Sequence, residues 1–239
     1  MKAAVLCEQP GELVIEDLVI DKPGPQEVLI QTVGAGLCHS DLHFMEGLFR
    51  TRVPAVMGHE SAGIVQAVGT DVTYVEPGDP VVACLSIFCG QCRQCLSGNP
   101  HRCTNGRATS RDKEAASRLQ RADGTPVDQM ARLGGFAEEM LIHQNGLVKV
   151  TPDVPLEKAC LIGCGVTTGF GAAVRTAKVP VGATVCVIGC GGIGLSAIQG
   201  ARVAGAGRII AVDMSTEKLD TARLMGATDT VNASEVDDV

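Results

Sequence analysis

ATVCVIGCGGIGLSAIQGARVAGAGRIIAVD, residues 183–213, decides the fold. A β-branched run, ATVCVIG (183–189), reads as a buried strand and ends in a glycine-rich turn. GGIGLSAIQGARVAG (191–205) reads as a small-residue helix and RIIAVD (208–213) as a second strand. STEKLDTARLMG (215–226) follows as an amphipathic helix and ATDTVN (227–232) as a third strand. Strands alternating with helices predict βαβ units and a parallel sheet. A complete dinucleotide-binding fold has two βαβαβ halves. Residues 166–239 supply the first half, so the sequence reads as a fragment or a chain truncated at its C-terminus.

The turn itself carries chemistry. Gly189 makes the bend, Gly191 lets backbone approach a pyrophosphate, and Gly194 allows helix and strand to pack closely. The helix N-terminus turns free N–H groups and a positive dipole end toward phosphates. Asp213 ends the second strand, 19 residues after Gly194. Its carboxylate can accept bonds from a ribose diol and would repel a 2′-phosphate, which favours NAD over NADP.

Working back, residues 1 to about 150 change texture. AAVL (3–6), LVIEDLVI (13–20), EVLIQTVGAGL (27–37), SAGIVQAVG (61–69) and PVVACLSI (80–87) are short β-rich runs between turn signals such as PGPQ and PGDP. The class is therefore α/β with a largely β N-terminal part, expected as a partly closed barrel with small helices. Residues 104–133 hold ten charged side chains and few apolar ones. They read as an exposed loop, with lining of a site mouth as the alternative.

Bulk properties narrow the function. A net charge of −7 argues against nucleic-acid partners, which need a basic face. No apolar run approaches the eighteen or so residues that span a bilayer, and the N-terminus lacks a signal-peptide core. A cytoplasmic protein with no membrane partner is the expectation. The 11 cysteines are an odd count with no signal sequence, which points to metal or catalysis instead of a disulfide scaffold.

FCGQCRQCLSGNPHRC (88–103) gathers Cys89, Cys92, Cys95 and Cys103 in one polar loop. Two Cys-x2-Cys steps and a return after seven residues suit four thiolates around one structural zinc, with no position left for substrate. An iron–sulfur cluster or redox disulfide is the alternative, although bacterial ferredoxin runs close after three residues and continue with proline. Three further stretches, GLCHSDLH (36–43), MGHESAG (57–63) and IGCGVTTG (162–169), together supply Cys38, His59 and Cys164. Three such ligands leave zinc an open fourth position for a reacting oxygen.

GLCHSD, GHE followed by glycine, the four-cysteine loop, GCGVTTG and VIGCGGIG occur in the order and at spacings compatible with the zinc-dependent medium-chain alcohol dehydrogenases. The chain resembles that family over essentially its whole length. The resemblance implies a GroES-like catalytic domain (1–165) with a structural zinc lobe at about 88–104, then an incomplete Rossmann domain (166–239), with the active site in the cleft between them. It implies two zinc ions per chain and NAD. Cys38, His59 and Cys164 become the catalytic zinc ligands, and Cys89, Cys92, Cys95 and Cys103 the structural set. Asp41 would orient His59, Glu60 would stand behind the zinc, and Ser40 and His43 would relay a proton to solvent. His39, Thr168, Gly189, Gly191, Gly192, Ile193, Gly194, Asp213 and Lys218 would contact the cofactor. Leu85 and residues 104–133 would shape the substrate pocket.

The reaction so implied is reversible oxidation of an alcohol to an aldehyde or ketone, by a homo-oligomer (dimer or tetramer) when full length. A non-catalytic zinc-binding remnant of such an enzyme is the alternative.

Overall fold

The computed structural model describes residues 1–112 and 115–236. The chain folds as two compact units, Met1–Gly163 and Cys164–Val239.

The first unit is built from eleven short strands among the described residues: β1 (Lys2–Leu6), β2 (Leu13–Asp17), β3 (Val19–Ile20), β4 (Glu27–Gly36), β5 (Ala55–Val56), β6 (Glu60–Val68), β7 (Pro80–Ala83), β8 (Leu119–Gln120), β9 (Pro126–Gln129), β10 (Glu139–His143) and β11 (Leu147–Lys149). One sheet runs β2-β1-β5-β9-β8-β3 and the other β10-β4-β6-β7-β11. The second sheet is antiparallel throughout. Val28, Ile30, Val65, Val81, Leu133, Met140 and Ile142 from or beside its strands form the main core. Each such side chain, fully buried, contributes roughly 1.5–3 kcal/mol. β4 is the longest strand, and its pairing with β6 shifts register twice, between Leu29 and Ile30 and between Thr32 and Gly34. Such bulges bend a strand and re-aim its end. Both strands then deliver residues to the site, Gly36 at the end of β4 and Glu60 at the start of β6.

Three expectations from the sequence fail in this unit. LVIEDLVI is two strands broken at Leu18, and PVVACLSI is a strand only over Pro80–Ala83. Residues 104–133 are not simply an exposed loop: they carry β8 and β9, and Leu119, Val127, Met130 and Leu133 are buried. The reason lies in the charges that made the segment look solvated. Arg111 donates to both oxygens of the buried Glu27 at 2.6–3.1 Å and to Asp21 at 2.6 Å, and Arg118 donates to Glu27 at 2.7 Å. Lys113 and Glu114, part of the same expected loop, lie outside the described residues.

The second unit follows the alternation read from the sequence. β12 (Thr184–Ile188), β13 (Arg208–Asp213) and β14 (Asp229–Asn232) form a parallel sheet in that order. The first unit's helices α1 (His39–Met45), α2 (Arg93–Leu96) and α3 (Leu156–Ala159) are short; here α4 (Gly165–Gly171) is followed by the longer α5 (Gly192–Val203) and α6 (Thr216–Met225). Ile198, Ala201, Ile209, Ala211, Leu219 and Ala222 close the core between helices and sheet. Ser215 caps α6, its hydroxyl accepting from the Lys218 N–H, and Gly226 ends it at φ +121°. The expectation that 183–189 is a buried strand fails. Among the described residues β12 pairs on one side alone; its Val185 and Val187 pack inward, while Cys186 is exposed and Ile188 is 81% exposed. A β-branched run shows that a strand forms, and says nothing of whether both faces are covered.

Candidate functional site

The first constellation grows from the N-terminal end of α1. Cys38 is the N-cap residue, in extended conformation, and Asp41 sits in the first helical turn. Asp41 is 4% exposed. One carboxylate oxygen accepts the Cys38 backbone N–H at 2.9 Å and the other lies 3.2 Å from His59 Nδ1. With Nδ1 engaged, Nε2 is the ring nitrogen left for a metal. Burial works against a charged His59 ring, but Asp41 and then Cys38 outweigh it, so the His59 pKa is raised.

His59 and Glu60 enter β6 from a turn that requires glycine. Gly58 has φ +92°, and a Cβ there would lie 2.4 Å from the Phe136 ring. Glu60 is buried at 4% exposure, and Gly36 leaves room for it: a Cβ on Gly36 would fall 2.7 Å from Glu60 Oε2. Ligand atoms of Cys38, His59 and Glu60 lie within 4.8 Å of one another. Gly163, the last residue of this unit, packs onto the same place, its Cβ position 2.5 Å from the Ala83 carbonyl oxygen and 3.8 Å from that of His59. Cys164, bonded to it, opens the second unit as the N-cap of α4.

Ser40 and His43 share a face of α1, three residues apart. His43 packs edge-on against His39 (centroids 4.7 Å apart) and Phe49 (5.0 Å). His39 is exposed and Ser40 half-buried. Gln9 was missed by sequence reasoning: its amide donates to the carbonyls of Phe44 (2.5 Å) and Phe49 (2.6 Å), and its oxygen accepts from the Thr51 N–H (3.2 Å). Nothing local to Gln9 signals a clamp across more than thirty residues. Leu85 is 38% exposed.

The second constellation is the cysteine lobe. Cys92 and Cys95 sulfurs are 3.5 Å apart, and Cys89–Cys95 and Cys92–Cys103 are each 3.9 Å apart. A tetrahedron with zinc–sulfur bonds of about 2.3 Å has edges of about 3.8 Å. A disulfide would need about 2.05 Å. A two- or four-iron cluster divides its four cysteines among its irons, so their sulfurs cannot all lie within one ion's coordination sphere. The residues therefore fit a single tetrahedral ion. Backbone N–H groups of Cys92 and Cys89 point at the Cys89 and Cys103 sulfurs, both at 3.3 Å. The N–H groups of Cys95 and Thr104 bring Cys92 down to about 5, while desolvation and the neighbouring sulfurs push Cys95 up to about 11. Four thiolates in one loop repel, and a divalent cation removes that conflict.

In the second unit the glycine-rich turn lies between β12 and α5. Gly189 has φ +92°, and a Cβ on Gly194 would meet the Gly189 carbonyl oxygen at 1.8 Å. Gly189, Gly191, Gly192 and Ile193 are exposed at the start of α5, whose first N–H groups have no acceptor within the helix. Asp213 is more than a ribose acceptor: one oxygen takes the Cys190 N–H at 2.7 Å and the other the Ser215 N–H at 2.9 Å. These two bonds hold its carboxyl below the usual range. Lys218 is exposed on α6, and Thr168 is exposed on α4 with its N–H on the Cys164 carbonyl.

The Cys38/His59/Glu60 cluster and the four-cysteine lobe are each spaced to hold a metal ion, and the glycine-rich strand–turn–helix offers free N–H groups to a phosphate. The family profile "Alcohol dehydrogenase GroES-like domain" matches residues 24–153, and "Zinc-binding dehydrogenase" matches 192–239. The chain belongs to this zinc-dependent alcohol dehydrogenase family. It is 42% identical over 241 residues to the S-(hydroxymethyl)glutathione dehydrogenase of Saccharomyces cerevisiae, a match covering 98% of this chain and 61% of that protein. It resembles a crystal structure of an alcohol dehydrogenase zinc-binding domain protein from Burkholderia ambifaria (TM-score 0.90, 37% identity, 99% of this chain, 65% of that one). Benzyl alcohol dehydrogenase from Acinetobacter calcoaceticus is similar (TM-score 0.88, 36% identity, 99% and 64%). The chain thus spans less than two thirds of the length of these relatives.

Proposed function

We propose that this chain provides the catalytic and first cofactor-binding elements of a zinc-dependent alcohol dehydrogenase, acting on a small alcohol or aldehyde with NAD. The observation that carries the reading is the buried Asp41 bridging the Cys38 backbone and the His59 ring. A carboxylate buried this deeply is costly unless hydrogen-bonded, and both Asp41 oxygens spend their bonds on the two candidate ligands, as a group that orients metal ligands does.

Cys38, His59 and Cys164 would hold one zinc, and Cys89, Cys92, Cys95 and Cys103 another. When bound, the first zinc supplies a Lewis acid that makes a hydroxyl easier to deprotonate, and NAD supplies the hydride acceptor. The chain's own residues do the rest. Asp41 fixes the His59 tautomer and ring orientation, so Nε2 stays aimed at the ligand position. Glu60 adds a negative oxygen beside the ligands, tucked where Gly36 has no side chain. Ser40 takes the substrate's hydroxyl proton as it gives up its own, and half-buried His43, three residues on, accepts the relayed proton and releases it to water. Phe49 braces the His43 ring. The N–H groups at the start of α5 receive the cofactor phosphates, and Asp213 presents a carboxylate to the adenosine ribose. Two relatives are named for benzyl alcohol and S-(hydroxymethyl)glutathione, which supports a primary alcohol as the substrate class. A reducing, cytoplasmic setting suits a chain whose cysteines act as zinc ligands.

The test is alcohol-dependent NADH formation by the zinc-loaded protein. Turnover should fall at least a thousandfold in Cys38→Ala while the cysteine lobe keeps its metal. Near-normal turnover in Cys38→Ala would refute the assignment.

A further inference from the structure

Arg132 stands outside every motif named above, and its surroundings are unusual. Its guanidinium donates to the Ile87 carbonyl (3.2 Å), to Thr109 Oγ1 (2.7 Å) and, at 3.5 Å, to the Gly106 carbonyl. Ile87 lies two residues before Cys89, and Gly106 three residues after Cys103. One side chain therefore holds both ends of the cysteine loop from a third segment. Ile87 and Thr109 are 3% and 2% exposed, so these anchor points belong to the packed interior. Thr109 Oγ1 in turn donates to the Gly106 carbonyl at 3.0 Å, closing the helical turn Gly106–Thr109 that follows the loop.

The backbone gives independent support. Ala131 and Arg132 have φ of +51° and +63°, two consecutive residues with side chains in the left-handed region. That conformation is disfavoured for any residue bearing a Cβ and persists only where the surroundings impose it. Among the described residues no carboxylate forms an ion pair with Arg132. Burial and the like charge of Arg118 work against its own charge, and the Cys103 thiolate favours it. Four thiolates around one Zn2+ leave a net charge of −2, which a nearby guanidinium offsets.

We propose that Arg132 is a positioning residue for the cysteine lobe, latching Ile87 to the Gly106–Thr109 turn so that the four sulfurs are held at zinc-binding distances. The proposal rests on the reading of that lobe as a zinc site. Arg132 touches no sulfur; it acts through the two ends of the loop. Its fork is what the geometry needs, since one nitrogen serves each end, and a lysine ammonium would supply charge without the span.

The test is peptide-resolved alkylation of Cys89, Cys92, Cys95 and Cys103 in the zinc-loaded chain, challenged with a chelator and a maleimide. Arg132→Gln should speed alkylation of all four together by about 10- to 100-fold, the range for loss of a residue that orients metal ligands. Arg132→Lys should fall in between, and Cys7, remote in sequence, should react at the wild-type rate in both. An Arg132→Gln chain with wild-type lobe protection overturns the proposal. If that variant fails to fold, Thr109→Val, which removes the shortest of the three contacts, should raise lobe alkylation several-fold, and unchanged protection there overturns it equally. The underlying zinc reading fails in a different way: wild-type lobe cysteines would then react equally fast with and without zinc.

Discussion

Asp41 Oδ1 lies 3.2 Å from His59 Nδ1, between side chains only 6% and 3% exposed. The other Asp41 oxygen accepts the Cys38 N–H at 2.9 Å. One buried carboxylate therefore sets the orientation of two candidate ligands that are 21 residues apart in sequence.

Asp41→Asn separates those two duties. An amide keeps one acceptor oxygen where the carboxylate had two, so either Cys38 or His59 loses its partner. Zinc affinity at this site should fall about 10- to 100-fold, with the lobe zinc unaffected. Competition with a chromogenic chelator measures it, and an unchanged affinity would show that the carboxylate is structural only.

Local patterns in the sequence foretell local structure. The glycine turn, its flanking strand and helix, and the four-cysteine spacing are local patterns, so residues 183–232 and 88–103 could be read directly. The Cys38, His59 and Cys164 set is spread over three separate stretches; residue type alone groups them, and the role of catalytic zinc ligands comes from the resemblance. Contacts made by ordinary residues at long range left no trace. Gln9 reaches Phe44 and Phe49, and Arg111 reaches Glu27 across 84 positions. The charges of 104–133 suggested solvent because composition does not reveal that a buried glutamate awaits them. The exposure of Ile188 was hidden for the opposite reason, since strand propensity does not report whether a face is covered.

Glu27 should make acid stability measurable. Burial would raise its pKa, but Arg111, Arg118 and the Gly24 N–H outweigh this and hold it at about 2, against an ordinary 4.5. A carboxylate depressed in the folded state contributes stability above its unfolded pKa and loses it as pH falls through the folded one. Its contribution, about 3 kcal/mol by linkage, is thus complete above about pH 4.5 and fades toward pH 2. Urea unfolding of the wild type and Glu27→Gln should show a gap of that order at pH 7 that narrows across this window. A gap independent of pH would place the effect in packing.

Asp213→Ala tests whether that carboxylate supports the turn as well as the ribose. Both its oxygens already hold backbone N–H groups, at Cys190 and Ser215. Removing them should weaken NAD binding by more than one lost hydrogen bond, over about tenfold, without creating NADP affinity. Calorimetric titration with both nucleotides checks it; a clean switch to NADP would mean the turn does not depend on Asp213.

Gln9→Ala should loosen the turn after α1. The N–H groups of Leu48 and Phe49 both end on the His43 carbonyl, and Gln9 holds the Phe44 and Phe49 carbonyls around them. Loss of two or three hydrogen bonds worth about 1 kcal/mol each should speed amide exchange at Leu48 and Phe49 at least tenfold. Unchanged exchange would mean the turn is held by other contacts.

Two separate zinc sites, one built around Cys38 and His59 and one wholly within residues 89–103, should load independently of each other. Zinc stoichiometry by plasma mass spectrometry, on the purified wild type and on Cys38→Ala, tests it most directly. The expected result is two zinc ions per wild-type chain and one in Cys38→Ala, with Cys89, Cys92, Cys95 and Cys103 still protected from alkylation. Two ions retained in Cys38→Ala, or a wild type that binds only one, would contradict it.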